Sequence, residues 1–322
     1  MHISEQEARA AALLLEQAAD RTETVLRGKR PAIRDALAAI LGGGHLLIED
    51  LPGAGKTTLA KALSIVLGLK FSRIQFTSDL LPSDVTGAQV FDPRTAEFSF
   101  RPGPVFSGVV LADEINRAPP RTQSALLEAM SEGQVTIDGT PHPLPSPFVV
   151  LATQNPLDQS GTYPLPDSQL DRFLLRISLG YPSAAAEREL LLSRDAVTSP
   201  LDALSPLLGP EKLQELRRAA QSVRMDPSLA GYIARLVQAT RETKLLAAGV
   251  STRGLLALGA ASRAAALLDG RNFLLPDDVK HMAVPVLAHR VRLARGSGEL
   301  LDARDESGRV IQALVDMTEV PT

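Results

Sequence analysis

The chain has 322 residues, a formal charge of −3 from 34 basic and 37 acidic residues, and no cysteine. Hydrophobic residues make up 44% of it and charged ones 22%, enough for a large core in about two domains of ~150 residues each. Without cysteine there are no disulfides, thiolate metal sites or cysteine nucleophiles, and the near-neutral charge gives no whole-molecule attraction to nucleic acid. The opening MHISEQEARA has no basic stretch leading into an apolar run, and no uncharged apolar segment approaches the ~20 residues that span a bilayer. A soluble cytoplasmic protein is expected.

Residues 1–41 are rich in Ala, Leu, Glu and Arg and predict helices, with a break near Gly28 and Pro31. HLLIED (45–50) is a short apolar strand that runs into a glycine turn, and TTLAKALSIVLG (57–68) has helical periodicity closed by Gly68. FSRIQF (71–76) predicts a second strand; the turn-rich stretch after it includes FDPRTAEFSFRPGPVF, which alternates like a hairpin. VVLADE (109–114) is a third strand, followed by a helix over 120–133. QVTIDGTPHPLPSPF (134–148) predicts another hairpin with Asp138-Gly139 at its turn. VVLATQNP (149–156) and LLRISL (174–179) complete five apolar runs separated by helices, the pattern of a parallel α/β sheet. From residue 182 no strand-like run follows and five segments read as helices, the last over 276–293. The expected division is an α/β nucleotide-binding domain over 1–181 and a smaller all-helical domain over 182–322.

EDLPGAGKTT (49–58) departs from the phosphate-loop pattern G-x-x-x-x-G-K-[ST] only in having Asp50 at the first glycine. A loop between a strand and a helix aims backbone N–H groups and the positive helix end at one point, which suits phosphate oxygens. Pro52, Gly53, Ala54, Gly55, Lys56, Thr57 and Thr58 form that cradle, with Lys56 for the β- and γ-phosphates and Thr57 for Mg²⁺. VVLADE ends in two carboxylates where open α/β sheets bind ligands. There Asp113 serves the metal shell and Glu114 is the general base. Asn155 ends the next strand and can orient water or touch the γ-phosphate. Arg172, in LDRF, offers the positive charge that contributes about 10³–10⁵ in rate in other nucleotide hydrolases. Arg253, in STRG, falls in the first turn of a helix, where the dipole disfavours a cation unless an anion such as phosphate faces it.

With these residues placed, the sequence resembles AAA+ ATPases, and among them the MoxR family. The resemblance rests on HLLIEDLPGAGKTTLAKAL, RIQFTSDLLPSDVTG, FRPGPVF, LADEINRAPPRTQSALLEAMSEGQVTIDG, ATQNP and LPDSQLDRF. It covers residues 25–180 strongly and a helical lid to about 295 more loosely. It implies that Lys56 and Thr57 are Walker A, Asp113 and Glu114 Walker B, and Asn155 sensor 1. Arg172 is then a finger reaching a neighbouring subunit's ATP, and Arg253 is sensor 2 on the lid of the same subunit. Gly28 matches the glycine before the adenine pocket, with Lys29 where the family has glutamine; Thr252 stands where proline is common before sensor 2. Arg117 is implied at the subunit interface, and the hairpins match the helix-2 and pre-sensor-1 inserts. The implied protein is a Mg²⁺-dependent, ATP-hydrolysing ring, often a hexamer, that remodels or matures protein complexes with a von Willebrand factor A domain partner. Two alternatives share this architecture: the motor subunit of a metal chelatase and a nucleic-acid-dependent ATPase. The second is disfavoured because the hairpins are nearly free of lysine and arginine.

The histidines His45, His142, His281 and His289 read as structural or exposed rather than as metal ligands. His289-Arg290-Val291-Arg292, with Arg295, reads as a solvated helix face or a subunit contact.

Overall fold

The computed structural model describes residues 2–155, 161–182, 184–192, 200–294 and 300–321. Pro156, the end of the helix expected at 187–194, Arg295 and the start of the tail at Gly296 lie outside the described residues.

Helix α1 (Glu5–Glu23) opens with a capping box: Ser4 Oγ accepts the Glu7 N–H, and the Glu7 carboxylate accepts the Ser4 N–H at 2.9 Å. Helix α2 (Arg30–Leu41) lies against it, tied by ion pairs from Arg30 to Asp20 and from Arg34 to Glu16. Strand β1 (Leu46–Glu49) leads through the glycine loop into α3 (Lys56–Val66), and β2 (Phe71–Gln75) follows. The one-turn α4 (Pro82–Thr86) then enters a hairpin of β3 (Gly87–Asp92) and β4 (Glu97–Pro102). Strand β5 (Val109–Asp113) precedes α5 (Pro120–Glu132), which Gly133 closes in the left-handed region at φ 64°. The hairpin β6 (Gln134–Ile137) and β7 (Thr140–Pro143) turns at Asp138 and Gly139, both with positive φ, as a two-residue turn of type I′ requires. Strand β8 (Val149–Gln154), α6 (Asp167–Leu170) and β9 (Leu175–Ile177) complete the first unit.

The five strands anticipated from their apolar runs form one parallel sheet in the order β2-β5-β8-β1-β9. Alternate side chains enter two different layers. Leu46, Ile48, Leu111 and Leu151 join the cluster built from α1, α2, α3 and the helices beyond residue 182. Leu47, Val110, Val150 and Ala152 join the cluster with Leu126 and Leu127 of α5. Burial on both faces explains why these strands read as unbroken apolar runs.

Beyond β9 the described residues hold α7 (Ala184–Leu192), α8 (Pro210–Gln221), α9 (Pro227–Glu242), α10 (Thr252–Leu268), α11 (Pro276–Leu287) and α12 (Leu300–Met317). They also carry a two-stranded antiparallel ribbon that the sequence reading lacks, β10 (Leu246–Ala248) with β11 (Arg292–Leu293). The helix expected over 276–293 ends early. Its last turn contains Pro285, and the Arg290 guanidinium donates to the Val286 carbonyl at its end. Arg292 and Leu293 are thereby released into extended pairing.

Candidate active site

The glycine loop leaves β1 at the C-terminal edge of the sheet. Gly53 (φ 84°) and Gly55 (φ 93°) both hold left-handed backbone, and Gly55 is the N-cap of α3. A Cβ at Gly53 would meet no atom within 4 Å, so its side of the loop is open to a ligand. Lys56 is the first residue of α3 and is half-buried, with its Nζ donating to the Asp50 carbonyl at 2.7 Å. Burial pushes its ammonium below the usual lysine range, and the carboxylates of Asp50, Asp113 and Glu114 act against that fall. Pro52, Ala54, Thr57 and Thr58 complete the loop and the first turn of α3.

Asp113 is the last residue of β5 and is 8% exposed. Its Oδ1 accepts the Thr153 hydroxyl at 2.6 Å, and its Oδ2 accepts Arg73 Nη2 at 2.5 Å. Glu114 follows in the left-handed region (φ 56°, ψ 49°), which for a non-glycine residue costs on the order of 1 kcal/mol. The same Thr153 oxygen offsets that cost by accepting the Glu114 N–H at 2.8 Å. The Glu114 carboxylate accepts Gln75 Nε2 at 3.1 Å and Arg117 Nη1 at 3.2 Å. Asn155 comes directly after β8, which lies between β5 and β1, so it stands at the sheet edge between the acids and the loop. Gly28 (φ 69°) precedes Lys29, whose Nζ donates to the carbonyls of Leu179 at 2.6 Å, Gly180 at 3.1 Å and Tyr181 at 2.5 Å.

Arg172 and Arg253 do not join this cluster. Arg172 Nη1 donates to the Leu127 carbonyl at 2.6 Å and to Ser131 Oγ at 2.8 Å, near the C-terminal end of α5, where the helix dipole favours a cation. Arg253 lies in the first turn of α10, capped by Ser251, which accepts the Gly254 N–H at 3.1 Å. Both arginines line a cavity of about 320 Å³ with Gly43, His45, Asp171 and Arg290. Gly43 and His45 precede β1, whereas Lys56 follows it, so the arginines lie at the opposite edge of the sheet from Lys56. In this arrangement Arg253 does not stand beside Lys56 of its own chain. Helix α10, which carries Arg253, packs against α2.

Residues 45–175 match the family described as "ATPase family associated with various cellular activities (AAA)", and residues 238–309 match "AAA lid domain". "Chaperone MoxR1" of Mycobacterium tuberculosis is 41% identical over 87% of this chain and 76% of its own length. The chain belongs to the MoxR family of AAA+ ATPases. "Uncharacterized protein YeaC" of Bacillus subtilis is 49% identical over 87% of each chain. A Cytophaga hutchinsonii protein whose crystal structure carries an ATPase assignment superposes with a TM-score of 0.87 at 36% identity, covering 99% of this chain and 98% of that one.

Several groups of this MoxR chain escaped the sequence reading. Arg73 and Gln75 are the polar alternates of FSRIQF and face Asp113 and Glu114 from the neighbouring strand. Thr153 is the one hydroxyl in the apolar run VVLAT, and that was its only signal. His289 and Arg290, read as solvated or as a subunit contact, are buried: Arg290 Nε donates to Asp171 Oδ1 at 2.8 Å, and His289 Nε2 lies 3.2 Å from the Phe173 carbonyl. His45 is structural as expected. Its Nδ1 accepts the Val150 N–H at 3.0 Å, Nε2 lies 3.1 Å from the Met130 carbonyl, and burial pushes it down to about 4.

Proposed function

We propose that this chain binds ATP with Mg²⁺ at the C-terminal edge of its sheet, hydrolyses it, and works as a homo-oligomeric ring, a hexamer, that remodels or matures protein complexes. The observation that carries this reading is the half-buried Lys56 ammonium at the start of α3, behind the open left-handed loop at Gly53 and Gly55, with Asp113 and Glu114 at the end of β5 on the same edge of the sheet. That arrangement suits the phosphates of a nucleotide whose negative charge the lysine and the loop N–H groups receive.

The residues present fit a metal as well. The Asp113 carboxylate already holds one cation, the Arg73 guanidinium, on Oδ2. Thr57 and Asp113 would hold the ion, and the chemistry it supplies there is neutralisation of charge across the β- and γ-phosphates. Glu114 takes the proton of the attacking water, and Asn155 orients that water. Thr153 keeps Glu114 at its backbone position, and Gln75 and Arg117 hold its carboxylate until a substrate competes for it.

The position of the arginines supports the ring. At the sheet edge away from Lys56, Arg172 and Arg253 serve a neighbour's nucleotide rather than their own. The protein client and the von Willebrand factor A domain partner are inferred from kinship with MoxR proteins. Supporting a protein client over DNA, the hairpin β6–β7 contains no lysine or arginine. A cytoplasmic setting suits a chain without cysteine, and among the described residues no helix is long and apolar enough to cross a membrane.

The test is Glu114→Gln in the full chain. ATP binding, measured by calorimetry with Mg²⁺, should persist while turnover falls about 10²-fold or more. Normal turnover in that variant overturns the assignment. Stimulation of the wild-type ATPase by DNA, rather than by a protein partner, overturns the client class.

A further inference from the structure

Asp50 is the one residue that breaks the phosphate-loop pattern, and its side chain has no part in the reaction described above. It is 7% exposed, and a buried carboxylate is costly unless it is hydrogen-bonded. Its partners all belong to the segment that leaves β9 for the lid. Oδ1 accepts the Ser178 hydroxyl at 2.7 Å and the Gly180 N–H at 3.1 Å, and Oδ2 accepts the Leu179 N–H. Gly180 at φ 62° turns its N–H to the same side as that of Leu179, so consecutive amides converge on one anion. The carbonyls of the same segment, from Leu179, Gly180 and Tyr181, converge on Lys29 Nζ. One peptide segment is thus gripped by an anion on its donors and a cation on its acceptors. Both grips lie next to the phosphate loop: Asp50 opens it, and Lys29 follows Leu26, whose Cδ1 would lie 2.8 Å from a Cβ at Gly55. Asp50 is also joined to the reacting end, because its main-chain carbonyl accepts Lys56 Nζ at 2.7 Å.

We propose that Asp50 and Lys29 are positioning residues that clamp the lid linker, residues 178–181, to the phosphate loop, so that the transfer of Lys56 from the Asp50 carbonyl to a phosphate is felt at the root of the lid. This rests on the nucleotide reading above. Asp50 occupies a glycine position of the pattern because a glycine there would leave the linker amides without their acceptor. The clamp acts on turnover through the linker and leaves the phosphate contacts of Lys56 intact.

Asp50→Gly is the informative substitution. It restores the pattern residue and keeps the main-chain carbonyl that Lys56 uses. Hydrogen exchange of the Leu179 and Gly180 amides, followed on the full chain without nucleotide, should quicken by about 10-fold or more when their charged acceptor is removed. With ATPγS and Mg²⁺, the wild type should change its exchange at these amides and Asp50→Gly should not. In steady state, Asp50→Gly should lower kcat by about 10-fold with KM for ATP within about 3-fold of wild type. Asp50→Asn, which keeps one carbonyl acceptor, should fall between the two. Lys29→Met breaks the clamp from the other side and should give the same kcat-only loss; it decides the matter if Asp50→Gly does not fold. Unchanged exchange at Leu179 and Gly180, or a rise in KM that matches the loss of kcat, would overturn the proposal. Absence of ATP uptake by the wild type would overturn the nucleotide reading and the coupling with it. The nucleotide-free exchange arm separates that failure from failure of the clamp itself.

Discussion

Arg73 on β2 and Asp113 on β5 form an ion pair at 2.5 Å through Oδ2 of the carboxylate that would serve the metal shell. The pair is lopsided, with the arginine side chain 47% exposed and the aspartate 12%. An exposed partner contributes little, about 0.2–1 kcal/mol. Arg73→Gln should therefore lower the Mg²⁺ concentration for half-maximal ATPase by about 1.4- to 5-fold, read from a magnesium titration at fixed ATP. A higher requirement would mean that Arg73 assists the metal rather than competing with it.

Thr153 serves two neighbours with one oxygen, donating to Asp113 and accepting from Glu114. Thr153→Val keeps the shape and removes both bonds in a fully buried place. Leaving buried polar groups unpaired costs about 1–3 kcal/mol. The expected outcome is a lower Tm together with loss of turnover, because Glu114 no longer has its backbone fixed. Thr153→Ser should restore most of both.

Subunit sharing has its own signature. Arg172→Ala chains keep Glu114, and Glu114→Gln chains keep Arg172. Each alone should bind ATP and turn over poorly. Mixed before assembly, some interfaces combine an intact Glu114 with a neighbour's intact Arg172, and activity should rise above that of either pure variant. No rise at any mixing ratio would show that Arg172 does not act across the interface.

His45 and His289 are buried and held neutral, His45 near 4 and His289 well below its usual value. The unfolded chain takes up protons on both near 6.5, while the folded chain resists until far lower pH. The unfolded state binds more protons in that window, so stability is full above about pH 6.5 and falls as pH drops toward 4. For His45 alone the loss approaches about 3 kcal/mol. Urea titrations at pH 7.5, 6 and 5 should show the midpoint falling, and a flat midpoint would contradict the burial of both rings.

Much of this was legible in the chain. VVLADE and VVLATQNP read as strands because burial on both faces leaves no polar alternation to confuse the pattern. Asp138-Gly139 marked its hairpin because few residue pairs accept positive φ twice in succession. Arg73–Asp113 was invisible because it joins strands 40 residues apart, and only the sheet order makes them neighbours. The place of Arg253 is set by the docking of α10 on α2, about which the surrounding STRG is silent. Arg290 was misread because HRVRL continues a helical rhythm past the point where its own guanidinium closes the helix.

The apolar cluster that takes Ile33 and Leu37 from α2 and Ile48 from β1 also takes Leu258 and Leu267 from α10. Residue 181 is consequently a poor place to cut. A fragment ending there would bare the oily side of α2 to water, and the severed remainder would do the same with α10. Heating the intact chain should give one calorimetric peak, because neither half owns the interior it relies on.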